Sequence, residues 1–152
     1  MRHHPFRCKR RLKHTALARL NSLVAMSRGP LPSQLCLLSD LSSKSPGEKV
    51  RFLGCVTSYL TQSAVLTLEH GFPKESNTIA LVDIRLLLGI VKSSQTQIGE
   101  WVNVVGYVTP PPPGTRAKGT TRGPQKVAIQ ALVLWSAGPL DLQRYENSFA
   151  TT

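Results

Sequence analysis

Phosphate binding is the first chemistry to consider, because one segment nearly has the spacing of a phosphate-binding loop. Residues 114–120 read G-T-R-A-K-G-T, with two glycines at the right separation. The lysine that must follow the second glycine is replaced by Thr120, so nothing there reaches the phosphates. No G-x-S-x-G nucleophile motif occurs. His70 is expected to be a surface histidine of no special role, and Asp83 has no evident acid partner in the sequence. We therefore expect a protein that is not an enzyme and that uses no cofactor.

Metal binding and disulfide formation find equally little support. The chain has three cysteines, Cys8, Cys36 and Cys55, and no two of them are close in sequence. Without a C-x-x-C or Cys/His pairing, no zinc site is indicated, and an odd count gives no disulfide framework. Free thiols fit a reducing compartment. We expect Cys55 to point outward from its strand without a special role.

Single-stranded nucleic-acid binding requires cations for phosphates and aromatic rings on which bases stack. The candidate rings are Tyr59 and Tyr107, which are expected to point outward, and the candidate cations are Arg116, Lys118, Arg122 and Lys126. Only 6% of the residues are aromatic, and each stacked base contributes about 1–3 kcal/mol. We therefore expect only modest affinity from the chain alone.

A surface for a protein partner is the third possibility, and it lies at the C-terminus. A helix is predicted over about 139–150, with Gly138 at its cap and Pro139 at its first position. Spacings of three and four place three residues on one face of this helix: Leu142, Tyr145 and Phe149. A helix of about ten residues is marginal alone in water, so it must dock on its own barrel or on a partner.

Trp101 is a further candidate for contact with a partner. It points to the face of its strand opposite Val102 and is expected to be covered by a terminal segment or a partner.

Five strands must position these residues. Alternating apolar residues predict them at about Glu48–Tyr59, Ala64–His70, Thr78–Ile84, Glu100–Thr109 and Lys126–Ser136. Apolar residues over 85–93 predict one short helix that plugs the barrel's end, and 35–41 is expected to be a strand or a packed lead-in. On the last strand one face is expected to hold Val127, Ile129, Ala131, Val133 and Trp135.

A repeated pattern indicates how the strands are arranged. Residues 50–56 and 102–108 both read V-x-[FV]-x-G-x-V. The glycine lies at an inward position, where it lets the strand bend or another backbone approach closely. Long strands that coil around a small barrel need such positions. The sequence therefore predicts an all-β fold, a five-stranded barrel of the OB type with a short helix between strands three and four and a C-terminal helix.

The positive charge is concentrated at the N-terminus. The formal net charge is +11, but residues 1–28 contain eight Lys or Arg and no acid, which leaves 19 − 8 = 11 basic against 8 acidic residues elsewhere, a net of +3. We predict that 1–28 is a disordered extension and that 29–152 is a single OB domain. The extension fits a nuclear-import or nucleic-acid tail, a mitochondrial transit peptide, or a segment outside the mature protein, with Met26 as the start. No apolar run reaches the length of a transmembrane helix, about 20 residues, so no membrane is implied.

Several segments resemble the fungal Ten-one family, the small subunit of the telomere-capping CST complex. They are 29–33 (G-P-L-P-S), 38–41 (L-S-D-L), 47–56 (G-E-K-V-R-F-L-G-C-V), 80–83 (A-L-V-D) and 99–108 (G-E-W-V-N-V-V-G-Y-V). The resemblance covers about 29–149 and depends on the order and spacing of these motifs. It leaves out the basic residues 1–25.

The resemblance implies a nuclear, telomeric subunit that pairs with a larger OB-fold subunit, as the small subunits of replication protein A pair. In such pairs C-terminal helices pack together, which implies a partner role for Leu142, Tyr145 and Phe149. Telomeric single-stranded DNA would be bound mainly by the assembled complex. Two alternatives remain open from the residues: an autonomous nucleic-acid-binding OB protein of replication, repair or RNA metabolism, and a mitochondrial or ribosomal OB protein.

Overall fold

The computed structural model describes residues 29–113 and 123–151. The elements described here lie within Ser33–Thr152. The predicted extension, 1–28, lies outside the described residues. The strands are β1 (Gln34–Leu35), β2 (Lys49–Leu60), β3 (Val65–Glu69), β4 (Thr78–Asp83), β5 (Trp101–Thr109) and β6 (Gln125–Ser136). Three 3-10 helices span Leu38–Ser43, Arg85–Leu87 and Ser93–Thr96, and helix α1 spans Leu142–Ala150. Within the described residues, no helix has the length and apolar character needed to cross a membrane.

Strands β2 to β6 close into a barrel. Strand β2 pairs with β3 and with β5, β3 with β4, and β5 with β6, all antiparallel, while β4 and β6 are parallel. The short β1 adds in parallel to the start of β2. The predicted five-stranded OB barrel is confirmed, and its strand limits differ from the predicted ones by one residue at most ends.

The inner face of the barrel follows the predicted alternation. Val50, Phe52 and Val56 of β2 and Val102 and Val104 of β5 are fully buried. The lead-in to the barrel also contributes, because the first 3-10 helix buries two leucines in the same core, Leu38 and Leu41. Thr78 Oγ1, at the start of β4, donates to the carbonyl of Ser39 in this helix (3.4 Å). The segment before the first long strand is therefore mainly a packed plug, with only two residues in strand pairing.

The predicted helix over 85–93 exists only as the 3-10 helix Arg85–Leu87. The Asp83 carboxylate accepts a hydrogen bond from the backbone N–H of Arg85 (2.9 Å), which makes a tight turn directly after β4. Leu87 enters the core and Val91 packs against it, whereas three other apolar residues of this segment are exposed: Leu86, Leu88 and Ile90. Two residues of the segment therefore plug the barrel.

A bulge in β6 reverses which side chains face inward. Gly106 pairs with Ala131 and Val105 with Val133, so Leu132 has no partner on β5. An extra residue in one strand shifts every later side chain to the other face. The prediction that Val133 and Trp135 share the face of Ile129 is therefore wrong. Leu134 packs on the core instead.

The two repeated glycines lie where other groups approach too closely for a side chain. A Cβ atom on Gly54 would lie 2.9 Å from Leu68 Cβ and 3.0 Å from Leu38 Cδ1. A Cβ atom on Gly106 would collide with the backbone carbonyl oxygen of Gln130. Close approach is thus the reason for glycine at both positions.

Replacing either glycine with alanine should destabilise the barrel. We expect Gly54→Ala to cost about 1–3 kcal/mol, the usual range for overpacking. Gly106→Ala should cost more, because backbone moves less easily than a leucine side chain. Urea unfolding measures both, with Gly89→Ala as the control, since nothing lies within 4 Å of that position. A Gly106→Ala variant as stable as Gly89→Ala would contradict the close-approach explanation.

Candidate functional site

Helix α1 begins later than the sequence predicts. The Asp141 carboxylate caps it by accepting a hydrogen bond from the backbone N–H of Arg144 (3.0 Å). Gly138 has a φ of +65° and belongs to the turn before the helix. The predicted start at Gly138 and Pro139 is therefore wrong by about three residues, because a capping carboxylate follows closer to the helix.

The barrel wall beneath α1 contains a buried histidine. His70, one residue after β3, is only 4% exposed. Its Nε2 lies 2.9 Å from Glu146 Oε1 on α1. Its ring meets Trp101 edge-on at 5.2 Å between centroids and lies 6.2 Å from Tyr145. The sequence suggested an exposed histidine of no special role, so its burial under the C-terminal helix is a correction.

The predicted partner residues on α1 share the face that touches the barrel. Tyr145 and Phe149 are in ring contact at 5.2 Å, and Tyr145 also contacts His70. Leu142, Tyr145 and Phe149 are each partly buried, as is Trp101. The opposite side of the helix is exposed and polar, with Gln143, Arg144, Asn147 and Ser148. The structure thus brings Trp101 and Tyr145 to one histidine and leaves part of this apolar face uncovered.

Burial affects the ionisation of groups near α1. Burial raises the pKa of the Tyr145 hydroxyl, and the nearby Cys36 thiol adds to the rise while Arg51 opposes it. Burial also raises the pKa of the Cys36 thiol, to about 11. Burial raises the pKa of Cys55, with Glu69 and Glu100 adding to it. Among the described residues, no cluster of histidine, cysteine and acidic side chains is placed to hold a metal ion.

Next to α1, the outer faces of β2, β5 and β6 form one continuous surface, which we call the outer wall. The Arg51 guanidinium lies 5.2 Å from the centre of the Trp135 ring, and Lys49 Nζ lies 5.9 Å from that of Tyr107. The register places Arg51 beside Leu35 on one side and Val105 on the other, and Val105 beside Val133. Leu35 and Val133 are large exposed apolar side chains. The wall therefore combines two cations that lie over aromatic rings with exposed apolar side chains.

The predicted nucleic-acid residues do not come together. A bulge between Val56 and Ser58 turns Tyr59 toward the core, where it is packed against buried residues, so the prediction of an outward Tyr59 is wrong. Tyr107 lies on the outer wall beneath Lys49. Lys126 is exposed at the start of β6. Arg116, Lys118 and Arg122 lie outside the described residues.

The face across β3, β4 and β6 also lacks the features of a nucleic-acid groove. Pairing places Glu69, Ile79 and Lys126 in one row and Val65, Asp83 and Gln130 in another. The described strands thus present two acids and one lysine there, and no aromatic ring. One of the acids, Asp83, is paired with the guanidinium of Arg85 just beyond β4 (2.6 Å). Since phosphates require cations and bases require rings, this face offers little to a single strand.

A family comparison decides which class of OB protein this is. The family model of Ten1, described as a telomere-capping subunit of the CST complex, matches residues 24–150. The chain belongs to the Ten1 family. It is therefore an OB-fold, telomere-capping subunit of the CST type, as its sequence motifs implied. A search of the curated proteins finds no match.

Solved structures agree with this assignment. The chain is similar to Ten1 of Saccharomyces pombe, with 26% identity over 79% of this chain and 96% of that one, at a TM-score of 0.56. It is also similar to a chain of the S. pombe Stn1–Ten1 complex, with 26% identity, coverage of 81% and 93%, and a TM-score of 0.58. An asparaginyl-tRNA synthetase of Entamoeba histolytica shares only the fold, at 12% identity over 81% and 28% of the two chains and a TM-score of 0.50.

The two described cysteines should differ in thiol reactivity. At pH 8 a thiol with a pKa of about 11 is ionised in only about one molecule in a thousand, and Cys36 is 5% exposed. Cys55 is less buried. In a Cys8→Ser background, we expect Cys55 to react with a maleimide at least about tenfold faster than Cys36. Mass spectrometry of the labelled peptides measures this, and equal rates would contradict the burial of Cys36.

Proposed function

We propose that this chain is a non-catalytic subunit that pairs with the larger OB-fold subunit of its complex, a Stn1-like protein, through α1 and the adjoining outer wall. The observation that carries the proposal is the partly covered apolar face of α1. Leu142, Tyr145 and Phe149 are each half-buried on the chain's own barrel. The remaining surface of each side chain is available to a partner. The similarity to the Stn1–Ten1 structure of S. pombe supports this choice of partner.

The proposed interface includes Trp101 and continues onto the outer wall. The charge of Arg51 acts on the Tyr145 hydroxyl and opposes the burial that raises its pKa. The Arg51 guanidinium also lies over the Trp135 ring. Protein interfaces are enriched in arginine and in Tyr and Trp, which combine apolar area with a polar group. Leu35 and Val133 add exposed apolar area to the same wall. A partner that covers both α1 and the wall would bury these residues together.

We place the protein in the nucleus, at telomeres, where it helps protect chromosome ends and regulate telomere synthesis. Family membership supports this location. We assign single-stranded telomeric DNA binding mainly to the assembled complex. The two acids and single lysine on the β3–β4–β6 face support that division, because they give the isolated barrel little attraction for phosphates. We also propose that the protein has no catalytic role.

Removing apolar area from α1 should weaken the pairing. We expect the double variant Leu142→Ala/Phe149→Ala to raise the Kd for the larger OB-fold subunit by about tenfold or more, since buried apolar anchors dominate interface energies. Isothermal titration calorimetry on the full chain measures this. The matched control is Gln143→Ala/Asn147→Ala, which changes two exposed residues of the same helix. Equal affinity of both variants and the wild type would exclude α1 from the interface.

The autonomous-binder alternative is favoured by the basic residues Arg116, Lys118 and Arg122, and it can be tested separately. Each phosphate contact to a single strand contributes about −0.7 to the slope of log K against log salt. Replacing the three residues with glutamine should therefore change the slope of the isolated chain by at most about 2. We expect weak binding by the isolated chain and a complex that keeps most of its affinity after the replacement. Binding by the isolated chain as tight as that of the complex, abolished by the replacement, would favour the alternative.

A further inference from the structure

Helix α1 needs specific contacts to stay on the barrel. It has nine residues, none of them fully buried. A helix this short is marginal in water without tertiary contacts. Its apolar side chains are only half-buried, so apolar burial alone fixes the helix only loosely. Its orientation must therefore depend on a few directional contacts.

His70 makes the directional contact. Its Nε2 meets Glu146 Oε1 at 2.9 Å, and their side chains are 2% and 22% exposed. An ionised carboxylate only accepts hydrogen bonds, so the histidine donates through Nε2–H. Hydrogen bonds that involve a charged group are about twice as strong as neutral ones, and low exposure reduces competition from water. This bond therefore ties the middle of α1 to the barrel.

The barrel holds the imidazole ring on its other sides. The Trp101 ring meets it edge-on at 5.2 Å, and the Phe72 ring is stacked with it at 6.2 Å. His70 also lines a small polar cavity that includes Ser76 and Thr78. Three buried side-chain atoms among the described residues have no hydrogen-bond partner: His70 Nδ1, Ser76 Oγ and the Tyr145 hydroxyl. The neighbouring rings therefore hold the imidazole by packing, while Glu146 accepts its hydrogen bond.

We propose that His70 is a positioning residue that fixes the orientation of α1 through Glu146, and so sets which part of the Tyr145 and Phe149 side chains a partner meets. The role of α1 in pairing rests on the proposed function, whereas the anchoring of α1 does not. The carboxylate of Glu146 is the second half of the anchor. Loss of either side chain leaves the other buried polar group without its partner, which releases the helix.

Amide hydrogen exchange of the full-length free protein tests the anchor. We expect Glu146→Ala to speed exchange in 145–150 by about ten- to hundredfold, with the amides of β2 and β5 unchanged. Glu146→Gln keeps an acceptor without the charge, and His70→Gln keeps a donor, so each should preserve part of the protection that the alanine variants lose. Asn147→Ala is the matched control, because it changes an exposed residue of the same helix. Unchanged exchange in Glu146→Ala would overturn the proposal.

A double-mutant cycle separates the anchor from a general packing effect. If His70 acts through Glu146, then His70→Ala/Glu146→Ala should release α1 little more than His70→Ala alone, which also removes the ring contact with Tyr145. Additive effects on the exchange of 145–150 would overturn the proposal, because they would mean that the two side chains act independently.

Binding to the larger OB-fold subunit distinguishes the anchor from the proposed function. Glu146→Ala should raise the Kd in step with the faster exchange, and Glu146→Gln should restore both. Faster exchange with unchanged affinity would support the anchor and contradict the pairing role of α1.

Discussion

Strand β2 pairs with β5 along its first half and with β3 along its second half, and this double pairing closes the barrel. The strand must coil around the core between the two partners, and Gly54 lies in the region where they change. A side chain there would collide with Leu68 and Leu38. Gly106 has the same role on β5, where the backbone of β6 passes too close for any Cβ atom. The remaining structure depends on these two close approaches, because they let β3 and the first 3-10 helix lie close to β2, and β6 close to β5.

Closure also determines what the outside of the barrel presents. Since β5 lies between β2 and β6, their outward side chains form one wall, with Arg51 over Trp135 and Lys49 over Tyr107. The end of β3 reaches the same region and brings His70 against Trp101. Helix α1 docks there, so residues distant in sequence meet in the closed barrel. The order of the strands thus determines both the outer wall and the place where α1 docks.

The strands and the inner face could be predicted from the sequence because alternation of apolar residues is a local signal. The two bulges could not, since an extra residue in a strand has no reliable local signature. They turned Tyr59 inward and Trp135 outward, and these were the two aromatic residues whose placement the sequence misjudged. The burial of His70 depends on a helix 76 residues further along the chain. Glu146 does lie one residue from Tyr145, but only the three-dimensional arrangement reveals its partner.

The two sides of the barrel differ in a way that bears on function. The β3–β4–β6 face, where an OB fold that binds nucleic acid places its rings and cations, presents Glu69 and Asp83 and has no aromatic ring among its described residues. The outer wall has the rings, but its cations already lie over them and its exposed groups include Leu35 and Val133. Apolar side chains gain most from burial against another protein, whereas phosphates gain nothing from them. The distribution of charge and apolar area over one small barrel therefore favours a protein partner at the wall, beside helix α1.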